Sequence, residues 1–151
     1  MPDIRISKYL KKSNIIFLKS NNKKLAIREL WEMISQSKNI RDKDELLCKL
    51  WEREKIMSTG IGLGIGVPHV KLASVKDFVI GIGISRRGIE YHAFDKMPVH
   101  IMIMVVAPTD KHSEYLKLLA SAVKVLKNRR DRDLLVQAEQ IEVIYQLFKN
   151  K

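Results

Sequence analysis

From residue 60 to residue 67 the chain reads Gly-Ile-Gly-Leu-Gly-Ile-Gly-Val, with glycine at every second position. Alternation of period two belongs to extended chain, because successive side chains of a strand point to opposite faces. The reading is one strand that packs Ile61, Leu63, Ile65 and Val67 on a core. Its other side presents bare backbone that a neighbouring chain or ligand can approach closely. The run ends at Pro68-His69, and the proline restricts Val67 to extended conformations, so the His69 imidazole is held in a defined direction. The same glycine device recurs over Val79–Ile84, with Gly81 and Gly83.

Elements on either side follow from periodicity. The first twelve residues read as a short amphipathic entry segment, and Ile15–Leu18, bounded by polar residues, as a buried strand. Lys23–Ser35 spaces Ala26, Leu30 and Ile34 four apart with Ile27 and Trp31 beside them, which predicts a helix with a broad apolar stripe. A second helix starts near Asp42, where Asp42 and Glu45 have capping-box spacing, and buries Leu46, Leu47, Leu50 and Trp51. Arg53 and Glu54 fall at its end. Turns are expected at Arg87-Gly88 and Asp95-Lys96, and Val99–Val106 is an apolar strand closed by Pro108. Thr109-Asp110 can cap a long helix to about Asn128 with Leu116, Leu119, Ala120, Val123 and Leu126 inward. Helices near 131–138 and 139–149 finish the chain.

Helices interleaved with strands in this order predict an α/β fold, a three-layer α/β/α arrangement around a mixed parallel and antiparallel sheet. The tight turn at Asp95-Lys96 requires at least one antiparallel pair. A chain of 151 residues is expected to form one domain, residues 1–151. The apolar run Ile101–Ala107 is far shorter than the roughly 20 residues that span a membrane, so no membrane insertion is expected. The N-terminus carries charge early and has no secretory pattern, and Cys48 is the only cysteine, which fits a reducing cytoplasm. With 28 basic and 17 acidic residues the net charge is +11, enough to attract nucleic acid or an acidic protein. The basic residues gather in two sets, Lys8 to Arg28 and Lys124 to Arg132, away from the glycine-rich centre.

Four histidines could do chemistry. His100, inside the apolar strand, and His92, in a turn-rich segment, read as structural. His69 ends the glycine run, and His112 falls in the first turn of the long helix, where free N–H groups and the helix dipole favour an anion. Together these two suggest an imidazole nucleophile beside a phosphate cradle. A neutral imidazole, with an unperturbed pKa near 6.5, is available as a nucleophile at neutral pH. Arg53, His112, the hydroxyls of Ser58 and Thr59, and nearby backbone N–H groups are suited to hold the oxygens of a moving phosphoryl group. Arg53 reads equally as a helix-end cation on the last carbonyls, and Ser58 and Thr59 as turn residues.

The run Ser58 to His69 resembles the active-site signature of the type 2 enzyme IIA domain, the fructose–mannitol class, of the bacterial phosphotransferase system. Trp51-Glu52-Arg53-Glu54, Asp95-Lys96-Met97-Pro98-Val99, and Ala107-Pro108 with His112 and Leu116 resemble further family segments, so the likeness covers nearly the whole chain. Gly66, where the family more often has alanine, and the strong basic charge are departures. The resemblance implies that the histidine phosphocarrier protein gives its phosphoryl group to His69, at Nε2, and that His69 passes it to an acceptor, with no cofactor and no metal. In sugar transport that acceptor is a cysteine of a IIB domain. In the nitrogen-regulatory branch the phosphorylation state regulates a protein, and the N-terminal arrangement favours that branch.

Other classes fit less well. No Gly-x-Gly-x-x-Gly or Gly-Lys-Ser/Thr spacing supports a nucleotide-binding enzyme. Charge alone, without a helix-turn-helix or interleaved aromatics, supports a nucleic-acid-binding module. A metal site at His69 and His112 lacks nearby carboxylates or cysteine. Neither oligomeric state nor sugar specificity is written in these residues.

Overall fold

The computed structural model describes residues 4–151. The elements are β1 (Ile15–Phe17), α1 (Lys23–Ile34), α2 (Lys43–Ile56), β2 (Gly60–Gly62), β3 (Ile65–Gly66), β4 (His69–Leu72), β5 (Val79–Ile89), β6 (Val99–Pro108), α3 (His112–Val125), α4 (Arg129–Gln137) and α5 (Ile141–Lys149). Two short 3₁₀ turns, Ile6–Lys8 and Lys12–Asn14, lead into β1. They form the described part of the entry segment, whose residues 1–3 lie outside the described residues.

Six strands make one mixed sheet in the order β1-β5-β6-β3-β2, with β4 also on β6. β5 and β6 are antiparallel, joined through the turn before Lys96, while β1 on β5 and both β3 and β4 on β6 are parallel. β6 is buried on both faces, which is why Ile101–Ala107 reads as an unbroken apolar run. One face of the sheet packs Ile101, Ile103 and Val105 against Tyr115, Leu118 and Ala122 of α3 and the apolar residues of α4 and α5. The other packs Met102, Met104 and Val106 against Ala26, Ile27, Leu30 and Ile34 of α1 and Leu46 and Leu50 of α2. The expected α/β/α layering and mixed sheet are observed.

Several local expectations are corrected. Glycine alternation over 60–66 is not one strand but a hairpin, β2 and β3 pairing antiparallel through a turn at Leu63 (φ 59°) and Gly64 (φ 76°). Both central residues have positive φ, the backbone that two-residue hairpins prefer. Consequently Ile61 and Leu63 are exposed, and only Ile65 and Val67 enter the core. At Arg87-Gly88 the chain does not turn back. Gly88 (φ 93°) lies in an irregularity inside β5, between Ile84 and Ile89. Asp42 caps α2 by accepting from the Glu45 N–H at 3.0 Å, but the Glu45 carboxylate accepts from Ser74 Oγ instead of closing a capping box. Leu47 and Trp51 are only half-buried.

α3 turns a different face inward from the one its periodicity predicts. It ends at Val125 and buries Tyr115, Leu118 and Ala122, with Leu126 just beyond, whereas Leu116 is 52% exposed and Ala120 is also exposed. The helix is apolar over more than half its circumference, so periodicity allowed two faces, and the bulk of Tyr115 against the sheet decided between them. Lys111 stands at its N-cap and no side chain caps it, so Thr109 and Asp110 do not serve there.

Part of the basic charge has structural work. Arg132 donates to the Leu126 and Lys127 carbonyls, both at 2.8 Å, at the end of α3. Lys12 pairs with Glu142 on α5, and Lys23 pairs with Glu54.

Gly81 lets α1 lie close to β5, since a Cβ there would stand 2.7 Å from Ile34 Cγ2. Gly81→Ala is expected to lower stability by about 1–3 kcal/mol, the range for overpacking a filled core, measured by urea unfolding.

Candidate functional site

β3 and β4 run in one register along the same edge of β6, with Gly66 opposite Met102 and His69 opposite Val105. Ladder pairing lapses between them at Val67–Pro68, where proline has no N–H to give. The Val67 N–H donates to the Thr59 carbonyl at 2.9 Å, and the Pro68 carbonyl accepts from Val105 N–H at 3.0 Å. Alternation then sends Val70 and Leu72 into the core beneath α2, while His69 and Lys71, both half-buried, take the face turned to α3.

His69 Nδ1 lies 2.6 Å from the Val67 carbonyl oxygen. A carbonyl only accepts, so Nδ1 carries the proton and Nε2 keeps its lone pair. The ring centroid is 6.1 Å from that of Tyr115. His112, the first residue of α3, is exposed, its ring centroid is 6.2 Å from that of the same Tyr115, and its Nδ1 is 2.6 Å from Lys71 Nζ. The fold therefore gathers His69 and His112 around one aromatic ring, at the uncapped N-terminus of α3.

Arg53 reaches this place from the last turn of α2. Its Nη1 donates to the Met57 carbonyl at 2.8 Å, the helix-end role. Its charge also acts on His69 and Tyr115, so the two readings of Arg53 are compatible in one geometry. Burial pushes the Tyr115 phenol up to about 12, against a smaller lowering by Arg53, so it stays protonated.

Ser58 Oγ donates to the Tyr91 carbonyl at 3.2 Å and accepts from Gly60 N–H at 3.1 Å, as a turn residue does. Thr59 is 2% exposed, and its hydroxyl donates to the Glu54 carboxylate and accepts from Tyr91 OH at 2.8 Å. These hydroxyls are thus engaged inward. Glu54 is the organising group that sequence reasoning passed over: its side chain is 7% exposed and pairs with Lys23 Nζ, 17% exposed, at 2.5 Å. Lys23 also lies 4.9 Å above the Tyr91 ring. Gly66 has a local reason, because a Cβ there would lie 3.0 Å from Tyr91 Cζ. Glu54 is adjacent to Arg53 in sequence, yet nothing local signals Lys23 or Tyr91 as its partners. Lys71 was missed too, although a strand residue two beyond His69 must share its face.

His92 is exposed with φ 54°, and His100 donates through Nδ1 to the Ser85 carbonyl at 2.9 Å, a structural bond. Among the described residues no three of His, Cys, Asp and Glu are grouped so as to hold a metal ion, and no helix is long and apolar enough to cross a membrane.

This architecture is that of solved enzyme IIA domains. The nitrogen regulatory protein IIA-Ntr of Neisseria meningitidis superposes with a TM-score of 0.87 at 23% identity, over 95% of this chain and 98% of that one. Mannitol IIA of Escherichia coli does so with a TM-score of 0.78 at 20% identity, over 92% and 98%. The chain belongs to the family described as phosphoenolpyruvate-dependent sugar phosphotransferase system, EIIA 2, which it matches over residues 8–151. It is 30% identical over 119 residues to the fructose-specific EIIA component of Haloferax volcanii, covering 79% of this chain and 77% of that protein. It is 25% identical over 134 residues to the nitrogen regulatory protein of Pseudomonas aeruginosa, covering 89% and 87%. Against the fructose-specific EIIABC component of Bacillus subtilis it is 30% identical but spans only 22% of that protein's length.

Burial lowers the His69 pKa below the ordinary 6.5; the Val67 bond raises it, the Arg53 charge lowers it, and the Glu54 charge raises it. A lowered pKa keeps the ring neutral to more acid pH than free histidine. In an NMR titration His69 is expected to protonate below 6.5, and Glu54→Gln to move that midpoint further down. The same substitution should cost about 3 kcal/mol in urea unfolding, the low end for removing one partner of a buried pair, because Lys23 can turn to water.

Proposed function

We propose that this chain is a cytoplasmic phosphoryl carrier in which His69 Nε2 takes a phosphoryl group from the histidine phosphocarrier protein and hands it on. The single observation that carries this reading is the bond from His69 Nδ1 to the Val67 carbonyl, which leaves Nε2 as a bare nucleophile. In the transfer, the Nε2 lone pair forms the new N–P bond while the donor's N–P bond breaks and its electron pair stays on the donor nitrogen. No proton need move, because His69 already holds its own on Nδ1. A lowered pKa further supports the role, since a protonated ring cannot attack.

Arg53, the first-turn amides of α3 and His112 then neutralise the transferred oxygens, a task of positioning and charge that dominates phosphoryl transfer. Ser58 and Thr59 contribute by shaping the segment ahead of the glycine hairpin. No cofactor enters this scheme. Exposed Met57, beside the Arg53 contact, and Leu116, next to Tyr115, give the rim an apolar surface on which a flat protein partner can bring its own phosphohistidine or acceptor close.

The acceptor in this proposal is a regulated protein, as for nitrogen regulatory relatives, and the likeness to the P. aeruginosa protein over 89% of this chain supports that choice. A sugar-specific role, passing the group to a IIB cysteine, is the second reading, supported by 30% identity to the H. volcanii fructose-specific component. A mannitol IIA of E. coli is itself known in complex with phosphorylated IIB.

Incubation with the phosphocarrier protein, its kinase and phosphoenolpyruvate should give an acid-labile, base-stable label. His69→Ala should abolish it and His112→Ala should slow its appearance about a hundredfold while leaving the fold intact. Full labelling of the His69 variant would move the nucleophile elsewhere. Wild-type labelling should hold its rate from pH 8 down through 6.5 and fall only below. Capture of a IIB–permease protein by the labelled chain would replace the regulatory reading with the transport one.

A further inference from the structure

Lys71 makes no ion pair with a carboxylate among the described residues. Its ammonium instead stands 2.6 Å from His112 Nδ1 and 5.5 Å from the centroid of the Tyr115 ring. An ammonium has three N–H donors and no acceptor, so in this contact Nδ1 is the acceptor. His112 therefore carries its proton on Nε2. His69 is in the opposite state, its proton on Nδ1 and its Nε2 bare, because the Val67 carbonyl can only accept. Two imidazoles thus face one tyrosine ring in complementary tautomers, one with a lone pair to give and one with an N–H to give.

The placement follows from the sheet. Residues 69 and 71 leave β4 on the same face, and β4 pairs along β6 so that this face looks at the first turn of α3. Lysine at 71 can therefore reach the first residue of α3 while His69 stays beside Tyr115. An unpartnered His112 at a helix N-terminus would exchange between tautomers, and the molecules in the Nδ1–H form would turn a lone pair toward phosphoryl oxygens, which repels them.

We propose that Lys71 is a positioning residue that locks His112 in the Nε2–H tautomer, so that His112 donates through Nε2 to an oxygen of the phosphoryl group on His69. This rests on the reading of His69 as the phosphoryl acceptor. The lysine acts through His112, and its own charge is directed at the ring nitrogen.

Nitrogen-15 NMR of the unphosphorylated full chain tests the lock directly. Wild type is expected to show an unprotonated Nδ1 on His112 and an unprotonated Nε2 on His69. Lys71→Met should convert His112 to a mixture of tautomers and leave His69 unchanged, whereas Lys71→Arg, which still donates, should keep the wild-type pattern. An unchanged His112 in Lys71→Met overturns the lock. The consequence for transfer is read with phosphoramidate, whose P–N bond breaks and releases ammonia as the N–P bond to His69 Nε2 forms. Lys71→Met should slow this labelling about twofold, because a tautomer mixture still holds the donating form, whereas outright loss of an oriented donor costs about a hundredfold or more. In His112→Ala, which has no acceptor for Lys71 to orient, adding Lys71→Met should cost nothing more. An equal loss in both backgrounds overturns the proposal and gives Lys71 a direct role on the phosphoryl group. Wild type that shows the stated tautomers yet takes no label overturns the carrier reading and the catalytic half of this one. Wild type that labels normally with a scrambled His112 sinks the lock alone.

Discussion

Strand β6 must satisfy both of its edges, and one of them is shared by two short segments. β5 covers one side antiparallel over nearly its whole length, while β3 and β4 divide the other, in a single register. Pro68 sits where they meet. Because it cannot donate to the ladder, the backbone there takes a bond from β6 through its carbonyl and sends the Val67 N–H to Thr59. That small lapse in pairing brings the Val67 carbonyl within reach of the His69 ring, and so the proline that interrupts the sheet also sets the tautomer of the histidine after it. A sheet buried on both faces holds this geometry rigid, since any slip in register would turn His69 and Lys71 into the α2 core.

Charge at the site is arranged in two layers. Nearest His69 are cations and donors: Arg53, Lys71, His112 and the uncapped amides of α3. Behind them lies Glu54, almost fully buried, tied to Lys23, Thr59 and Tyr91. The carboxylate partly offsets what Arg53 does to His69, raising the pKa that burial and Arg53 lower. Burial also pushes the Tyr91 phenol upward, which keeps it a hydrogen-bond donor to Thr59. The network thereby holds the end of α2, and with it Arg53, against the Ser58-Thr59 segment that leads into the glycine hairpin.

How much of this was legible depended on whether the cause was local. The α1 stripe, the apolar β6, the Asp42 cap and the antiparallel β5–β6 pair all follow from neighbours in sequence, and all are present. The hairpin at Leu63-Gly64 was hidden because alternating glycines fit a straight strand and a tight turn equally well. The α3 face was misread because Leu116 and Tyr115 are adjacent and both apolar enough to bury. Among the site residues, His69 and His112 stood out by position and type. Lys71 and Glu54 did not, because a lysine in a strand and a glutamate at a helix end are ordinary surface residues until a partner is seen.

By itself the sequence determined the layer architecture, the placing of His69 directly after the glycine-rich segment, and membership of a phosphotransferase family, because periodicity and a contiguous motif carry that information within a few residues. Only the tertiary structure decided which groups meet: Lys71 with His112 across 41 positions, and Thr59 with Tyr91 across 32. Such pairings arise when separate elements are pressed onto one buried sheet, and no local preference of the chain encodes them.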